Sequence, residues 1–374
     1  VINGITYRDS SGSATGGSRV VTLTGVQDNG GTSNGGIDIT SLAVASSIMV
    51  GAVPVVGVSG GSSAFTAGDN MASTPVAVDG GITVTDTASS TLVSATVSIT
   101  GNFHAGEDIL AFSNGNSSLY GNIVASYNSS TGVLTLSSSG GSATLAQWQA
   151  ALRAVTYTDS AVTPNTATRT ISFQVSDGSA SSATVSRTLT VTAVDQTPVA
   201  TGSGGSAAFT AGDNTASTPV AVDSGITVSD LDNSTLASAT VSISGNFQSG
   251  QDVLAFSNTS ASTFGNIVAS YNSGTGVLTL TSSGATATLA QWQAALRAVT
   301  YTDSAVTPNT ATRTISFQVS DGSKSSAVVS RSVTVAAVDQ TPVASTSGGS
   351  AAFTAGDNTA STPVVVDGGI TVSD

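Results

Sequence analysis

A chain of 374 residues has room for two or three domains. Hydrophobic residues at 39% suffice for packed cores, while charged residues at only 8% leave solubility to Ser, Thr, Asn and Gly. A net charge of -13 without a basic cluster excludes nucleic acid and anionic membrane surfaces as partners, and the absence of Cys excludes disulfides, thiolate chemistry and Cys-ligated metal.

The acids are almost all Asp, with Glu107 alone of its kind, and Lys324 is the only Lys. Asp suits loops and hard-cation sites, whereas Glu suits helices. No stretch of about 18 apolar residues occurs, so no membrane insertion is expected of this segment. The chain begins at Val1 without Met and without a basic-then-apolar leader. A removed leader, a distant secretion signal or a window of a longer chain each accounts for that beginning.

Residues 1–53 read as the closing part of a diverged repeat. Ile5-Thr6-Tyr7-Arg8-Asp9 matches Val155-Thr156-Tyr157-Thr158-Asp159, and Arg19-Val20-Val21-Thr22-Leu23 matches Arg169-Thr170-Ile171-Ser172-Phe173. Val50-Gly51-Ala52-Val53-Pro54 is then a first linker, without the Asp of the later ones. Two full repeats follow, 54–197 and 198–341, and residues 342–374 supply the opening strands of a further one. Phe65-Thr66-Ala67-Gly68-Asp69-Asn70 returns at 209–214 and at 353–358, a step of 144 residues each time. Trp148 returns as Trp292, and Asp195-Gln196-Thr197-Pro198 as Asp339-Gln340-Thr341-Pro342. Residues 63–206 and 207–350 agree at about four positions in five, which marks recent duplication.

Within a repeat, strand signals dominate. In the second copy they fall at 226–228, 239–244, 253–256, 267–271, 276–280, 298–301, 312–319 and 328–335, about eight or nine strands in all, divided by Gly, Asn and Ser turns. One helix interrupts them. Thr288 to Arg297 sets Leu289, Trp292 and Leu296 on one stripe, with Thr288 and Gln291 spaced as a capping box, and its copy is Thr144 to Arg153. The expected fold is all-β: tandem antiparallel β-sandwiches, each with one short helix, joined end to end by short linkers.

The strings Gly245-Asn246-Phe247, Gly250-Gln251-Asp252-Val253-Leu254-Ala255-Phe256, Tyr271-Asn272 with Gly276-Val277-Leu278-Thr279-Leu280, Trp292 to Tyr301, and Arg313-Thr314-Ile315 with Val319-Ser320-Asp321-Gly322 resemble the cadherin-like repeats of giant bacterial surface adhesins. Those repeats stand in long arrays and often belong to proteins exported by type I secretion. The resemblance implies that the sandwiches are Ig-like or cadherin-like, with calcium held by Asp side chains at domain junctions. Carried over by position, the metal candidates are Asp195 and Asp339 in the linkers, Asp177 and Asp321 in the Val-Ser-Asp-Gly turns, and Asp86, Asp230 and Asp374 after the Ile-Thr-Val strand. Asp232 is a further candidate in the second repeat. Gln196 and Gln340 depart from the family's linker, and Thr87-Ala88 stand where the second repeat has Leu231-Asp232. Any first-repeat site is therefore expected to be the weaker, since calcium takes six to eight oxygen ligands.

Other residues carry plainer readings. Asp69, Asp213 and Asp357 read as turn formers. Trp148 and Trp292, on the helix stripe, read as core anchors and not sugar platforms. Arg153 and Arg297 read as surface partners of Asp159 and Asp303. His104 and Glu107 become Gln248 and Gln251 in the next copy, so neither serves a chemistry common to both, and no catalytic role is expected.

The function this points to is a structural or adhesive extracellular spacer: a rod-like stalk or fibre on a bacterial surface or in a biofilm matrix, with neighbouring repeats or identical subunits as partners. One alternative is a filament assembled head to tail, residues 342–374 of one subunit adding strands to residues 1–53 of the next. Another is a module binding glycan or protein through the loops that differ most between copies, Gly115 to Leu119, Thr259 to Thr263, Thr87 to Ser89 and Leu231 to Asn233.

Overall fold

Alternation decides the sheets. In the strand Ser94–Gly101, Ala95, Val97 and Ile99 share one face and all three are buried, while Ser and Thr take the other face. The same pattern in Val133–Ser138 and Arg169–Ser176 buries Leu134, Leu136, Ile171, Phe173 and Val175. Each buried Leu, Ile, Val or Phe contributes about 1.5–3 kcal/mol.

The protein is described by a computed structural model covering residues 5–8, 10, 17–28, 31–36 and 39–374. It divides into two compact units, Val1–Val194 and Asp195–Asp374. In the first, a six-stranded sheet runs in the order Ser62–Thr66, Val185–Thr192, Arg169–Ser176, Ser94–Gly101, Val133–Ser138, Ile123–Asn128. A three-stranded sheet of Val76–Ala77, Thr156–Asp159 and Asp108–Ala111 and a two-stranded pair of Val55–Gly57 with Thr83–Thr85 complete the sandwich. The second unit repeats this order with Ser206–Thr210, Val329–Ala336, Arg313–Ser320, Ser238–Gly245, Val277–Ser282 and Ile267–Asn272.

All eight strand signals read in the second repeat are strands. Three further strands, Val199–Thr201, Ser206–Thr210 and Val220–Ala221, are too short or too rich in Ala and Ser to announce themselves. One pairing departs from an antiparallel sandwich. Ser62–Thr66 lies parallel to Val185–Thr192, and Ser206–Thr210 parallel to Val329–Ala336. The opening strand thus lies beside the closing strand of its own repeat and runs the same way, so the chain enters at one end of the pair and leaves at the other.

The helix Leu145–Arg153 forms for the expected reason. Thr144 accepts from the Gln147 amide while the Gln147 side chain accepts from the Thr144 amide. Its Trp148 is fully buried, and the indole N–H donates to the Leu92 carbonyl at 3.0 Å. In the second unit Trp292 reaches the Leu236 carbonyl at 2.9 Å. A second, single helical turn, Ser117–Tyr120 and its copy Ala261–Phe264, occupies the segment that differs between the copies.

Two motif glycines are required by their surroundings. Gly132 and Gly276 have φ of 70° and 68°, and a Cβ on either would stand 2.8 Å from the ring of Phe103 or Phe247. The Gly-Asn-Phe and Gly-Val-Leu strings are therefore two halves of one contact.

The end segments follow the repeat only in part. Gly17–Gln27 and Ile39–Val50 form a hairpin in which Arg19 faces Ile48, as Arg169 faces Leu189. Asp9 lies outside the described residues. Val343–Ser345 pairs with Thr371–Ser373, and Phe353 between them is 58% exposed where Phe209 is 1% exposed.

Candidate functional site

Four of the eight metal candidates lie at one end of the second sandwich, linked through Gln196, Asn233 and Lys324. Asp195 enters from the linker, Asp230 and Asp232 follow the strand Thr227–Ser229, and Asp321 follows Arg313–Ser320. The turn after the strand is built by Asp230, whose Oδ1 accepts from the amides of Asp232 at 3.2 Å and Asn233 at 3.1 Å. Asp321 Oδ1 likewise accepts from Ser323 at 2.6 Å and Lys324 at 2.7 Å. The Asp232 carboxylate receives the Gln196 amide at 3.0 Å and the Asn233 side-chain amide at 3.0 Å. Lys324 Nζ donates to the Asp195 carbonyl at 2.6 Å.

Three of these carboxylates use one oxygen and leave the other. Oδ2 of Asp195, Asp230 and Asp321 is buried without a hydrogen-bond donor. An orphaned buried carboxylate oxygen is costly, and it is eased by a cation or by a proton. Burial, and then the adjacent Asp232 carboxyl, hold Asp230 above the usual carboxylate range. The donor set suits a hard divalent cation. Among the described residues, however, no three acidic side chains already stand in metal-holding geometry.

The first sandwich keeps only the frame. Asp86 Oδ1 accepts from Ala88 and Ser89 at 2.8 and 3.1 Å, Asp177 Oδ1 from Ser179 and Ala180 at 2.7 Å each, and Asp86 Oδ2 is a buried orphan. Gly51, Ala88, Ser89 and Ala180 stand where the next repeat has Asp195, Asp232, Asn233 and Lys324. Their small side chains leave an open cleft of about 730 Å³ lined by Gly51, Thr87, Ala88, Ser89, Asp177 and Ala180. Two carboxylates fall short of a calcium shell. Asp339 and Asp374 are exposed.

The structure corrects the reading of the arginines. Arg153 and Arg297 do not pair with Asp159 and Asp303. Their Nε atoms donate to the Ile82 and Ile226 carbonyls at 2.9 and 2.8 Å. Asp159 and Asp303 are buried, and their partners are Arg169 and Arg313, which reach them from the six-stranded sheet. Arg313 also meets Asp252, which accepts the Tyr301 hydroxyl at 2.5 Å, and the Tyr271 hydroxyl reaches the Asp252 carbonyl at 2.7 Å. The motif residues Asp252, Tyr271, Tyr301 and Arg313 therefore converge on one buried knot, repeated in the first unit around Asp108. Sequence distance misled here, because an Arg six residues from an Asp is nearer in the chain but points away.

A second buried acid, Asp79 or Asp223, accepts from Ser59 or Ser203 and pairs with Arg187 or Arg331. Asp213, read as a turn former, also holds the linker residue Thr341.

No protein-family model and no curated protein matches the chain. Among solved structures it is similar to domains 4–9 of the surface layer protein SbsC, at 13% identity and a TM-score of 0.20, over 83% of this chain and 36% of that one. It is also similar to extracellular cadherin domains 1–5 of protocadherin gamma B2, at 17% identity and a TM-score of 0.25, over 80% of this chain and 44% of that one. A third is the C-terminal domain of the Streptococcus agalactiae AgI/II polypeptide BspA, at 12% identity and a TM-score of 0.20, over 65% of this chain and 84% of that one. The chain spans less than half the length of the first two.

Proposed function

We propose that this chain is a spacer: a run of near-duplicate β-sandwich repeats, 54–197 and 198–341, that gives reach to an extracellular stalk or fibre. The observation that carries the reading is duplication without a duplicated reactive site. Core, helix, buried Arg–Asp knot and opening-to-closing strand pair recur in both repeats, while His104, Glu107, Asp232 and Lys324 do not. A spacer needs length and stability from each copy, not chemistry. The parallel pairing suits a load-bearing unit, because the chain enters at one end of the strand pair and leaves at the other, so a pull on the two termini shears the whole row of hydrogen bonds at once.

The test is mechanical. Stretching single molecules should give one cooperative event per repeat, each releasing roughly 45–50 nm at about 0.35 nm per residue. Extension without discrete events contradicts the reading.

Calcium belongs to the same proposal. In the second repeat Asp195, Asp230, Asp232 and Asp321 would hold it, and the ion would supply positive charge to the three orphaned oxygens. Asp86 and Asp177 bind more weakly for want of donors, and Asp339 with Asp374 would repeat the pattern one step on. Calcium should raise the melting temperature of the second repeat by the linkage term RT ln(1 + [L]/Kd). An unmoved transition in millimolar calcium removes this part and leaves the spacer.

Head-to-tail filament assembly is the second reading. It is favoured by the exposure of Phe353, Val366 and Ile370, whose copies Phe209, Val222 and Ile226 are buried. One residue opposes it. Ser46 faces Val21 in the hairpin where Arg187 faces Ile171, so the position that pairs with Asp79 or Asp223 in a whole repeat offers no arginine to their counterpart Asp367. Concentration-dependent growth in light scattering supports the filament; a monomer at high concentration excludes it.

A further inference from the structure

The linker after the second repeat carries Gln340 where the resembled repeats carry Asn or Asp, and the structure gives that Gln a partner. The closing strand Val329–Ala336 runs out beside the Ala211-Gly212-Asp213-Asn214 turn, held there by the Ala211 amide on the Ala336 carbonyl at 3.0 Å. Asn214 takes a left-handed φ of 49°, which Asn tolerates better than other side-chain-bearing residues. Ser217 secures the turn by accepting from the Gly212 amide at 3.1 Å.

Turn and linker then engage through five hydrogen bonds. Gln340 Oε1 accepts from the Asn214 amide at 2.7 Å, and Gln340 Nε2 donates to the Gly212 carbonyl at 3.2 Å. Asn214 Nδ2 donates to the Thr341 carbonyl at 2.6 Å. Asp213 uses both carboxylate oxygens on one residue: Oδ1 takes the Thr341 amide at 2.8 Å and Oδ2 the Thr341 hydroxyl at 2.6 Å. Gln340 Nε2 also donates to the Val338 carbonyl at 2.9 Å, which folds the side chain back along its own segment. Thr341 precedes Pro342, so its backbone is already biased toward extended geometry, and Pro342 brings no N–H that needs a partner.

Residue identity matters at each point. Asn at 340 would be one methylene shorter, and Asp would bring a second carboxylate toward Asp213 and no donor for Gly212. Thr341 supplies both donors that the Asp213 carboxylate receives. The hydroxyl and the amide of Thr341 hold that carboxyl below its usual range, as expected of a charged acceptor in use.

We infer that Asp213-Asn214 and Gln340-Thr341 form a metal-free clamp that fixes the direction in which the chain leaves the sandwich, so that order in the linker does not require a divalent cation. The inference deepens the spacer reading and rests on it for its purpose, but its test is separate. Asp213 is a positioning residue here, and its work is local.

Amide hydrogen exchange on the whole chain reads the clamp directly. In EDTA the Thr341 and Asn214 amides should be protected. Asp213→Ala should speed Thr341 exchange at least tenfold, and 5 mM calcium should not restore it. Gln340→Asn should do the same at Asn214. Thr341→Val removes only the hydroxyl and guards against misfolding; it should loosen Thr341's neighbours while core amides such as Val333 keep their protection. Protection that appears only with calcium, or that survives Asp213→Ala, overturns the clamp. Neither result touches the spacer, which stretching tests on its own.

Discussion

Arg313 Nε lies 2.8 Å from Asp252 Oδ2, and neither side chain is exposed to solvent. The same guanidinium reaches Asp303 at 3.2 Å and donates Nη1 to the Asn309 and Ala311 carbonyls at 3.1 and 2.5 Å. A charge so enclosed is stable only while every partner is present. Arg313→Leu leaves two buried carboxylates facing each other, and the expected loss is about 3–5 kcal/mol. Urea unfolding should show it in the transition of the second repeat alone, with the first unchanged.

Tyr301 tests the knot more gently. Tyr301→Phe removes the hydroxyl that Asp252 accepts at 2.5 Å and leaves the ring against Phe209 at a centroid distance of 5.3 Å. The expected cost is about 1–3 kcal/mol, from an unsatisfied charged acceptor. A neutral substitution would show that Arg313 alone satisfies Asp252.

The two classes of buried acid should titrate in opposite senses. Asp223 is buried, which raises its pKa, but hydrogen bonds from Ser203 and Gly225 and the charge of Arg331 bring it below the usual range. Its contribution is complete above the ordinary carboxylate value and is lost as pH falls through the lowered one. Asp303 is held above the usual range, by burial first and then by Asp252. Its contribution is complete below the ordinary value and fades as pH rises through the raised one. Chemical denaturation across pH 2–7 should therefore show Asp223→Asn flattening the acid limb and Asp303→Asn flattening the loss on the neutral side.

Trp292 anchors the helix in the core, and Trp292→Ala should cost about 3–5 kcal/mol in the second repeat. It leaves a large void and strips the Leu236 carbonyl of its donor. Gly276→Ala should cost about 1–3 kcal/mol, because φ of 68° and the Phe247 ring both oppose a Cβ. Calorimetry of the full chain resolves both, with the first repeat as internal reference.

Much of this was legible in the residues. The 144-residue step, the capping box, the helix stripe and the alternation of the long strands are local patterns, and each found its element. What stayed hidden depends on partners far apart in the chain. Asp213 and Thr341 are separated by 128 residues, and nothing near either one names the other. Arg313 sits in an alternating strand at an inward position that an apolar residue ordinarily takes. The parallel pairing of Ser206–Thr210 leaves no mark in a five-residue Ser-Ala-Ala-Phe-Thr run. The acidic candidates came residue by residue from a resemblance; Asp195, Asp230, Asp232 and Asp321 lie at one end of the second sandwich, yet no three acidic side chains among the described residues stand in metal-holding geometry. Lys324 among them was not foreseen.

The absence of Cys makes the decisive measurement clean. Ser126 and Ser270 are exposed, equivalent positions in the two full repeats, and each can be changed to Cys and spin-labelled without competing thiols. Electron–electron double resonance between the two labels, with calcium present, should give one narrow distance distribution, as two sandwiches held by a short ordered linker require. A broad distribution, of the kind a slack tether produces, would contradict the spacer.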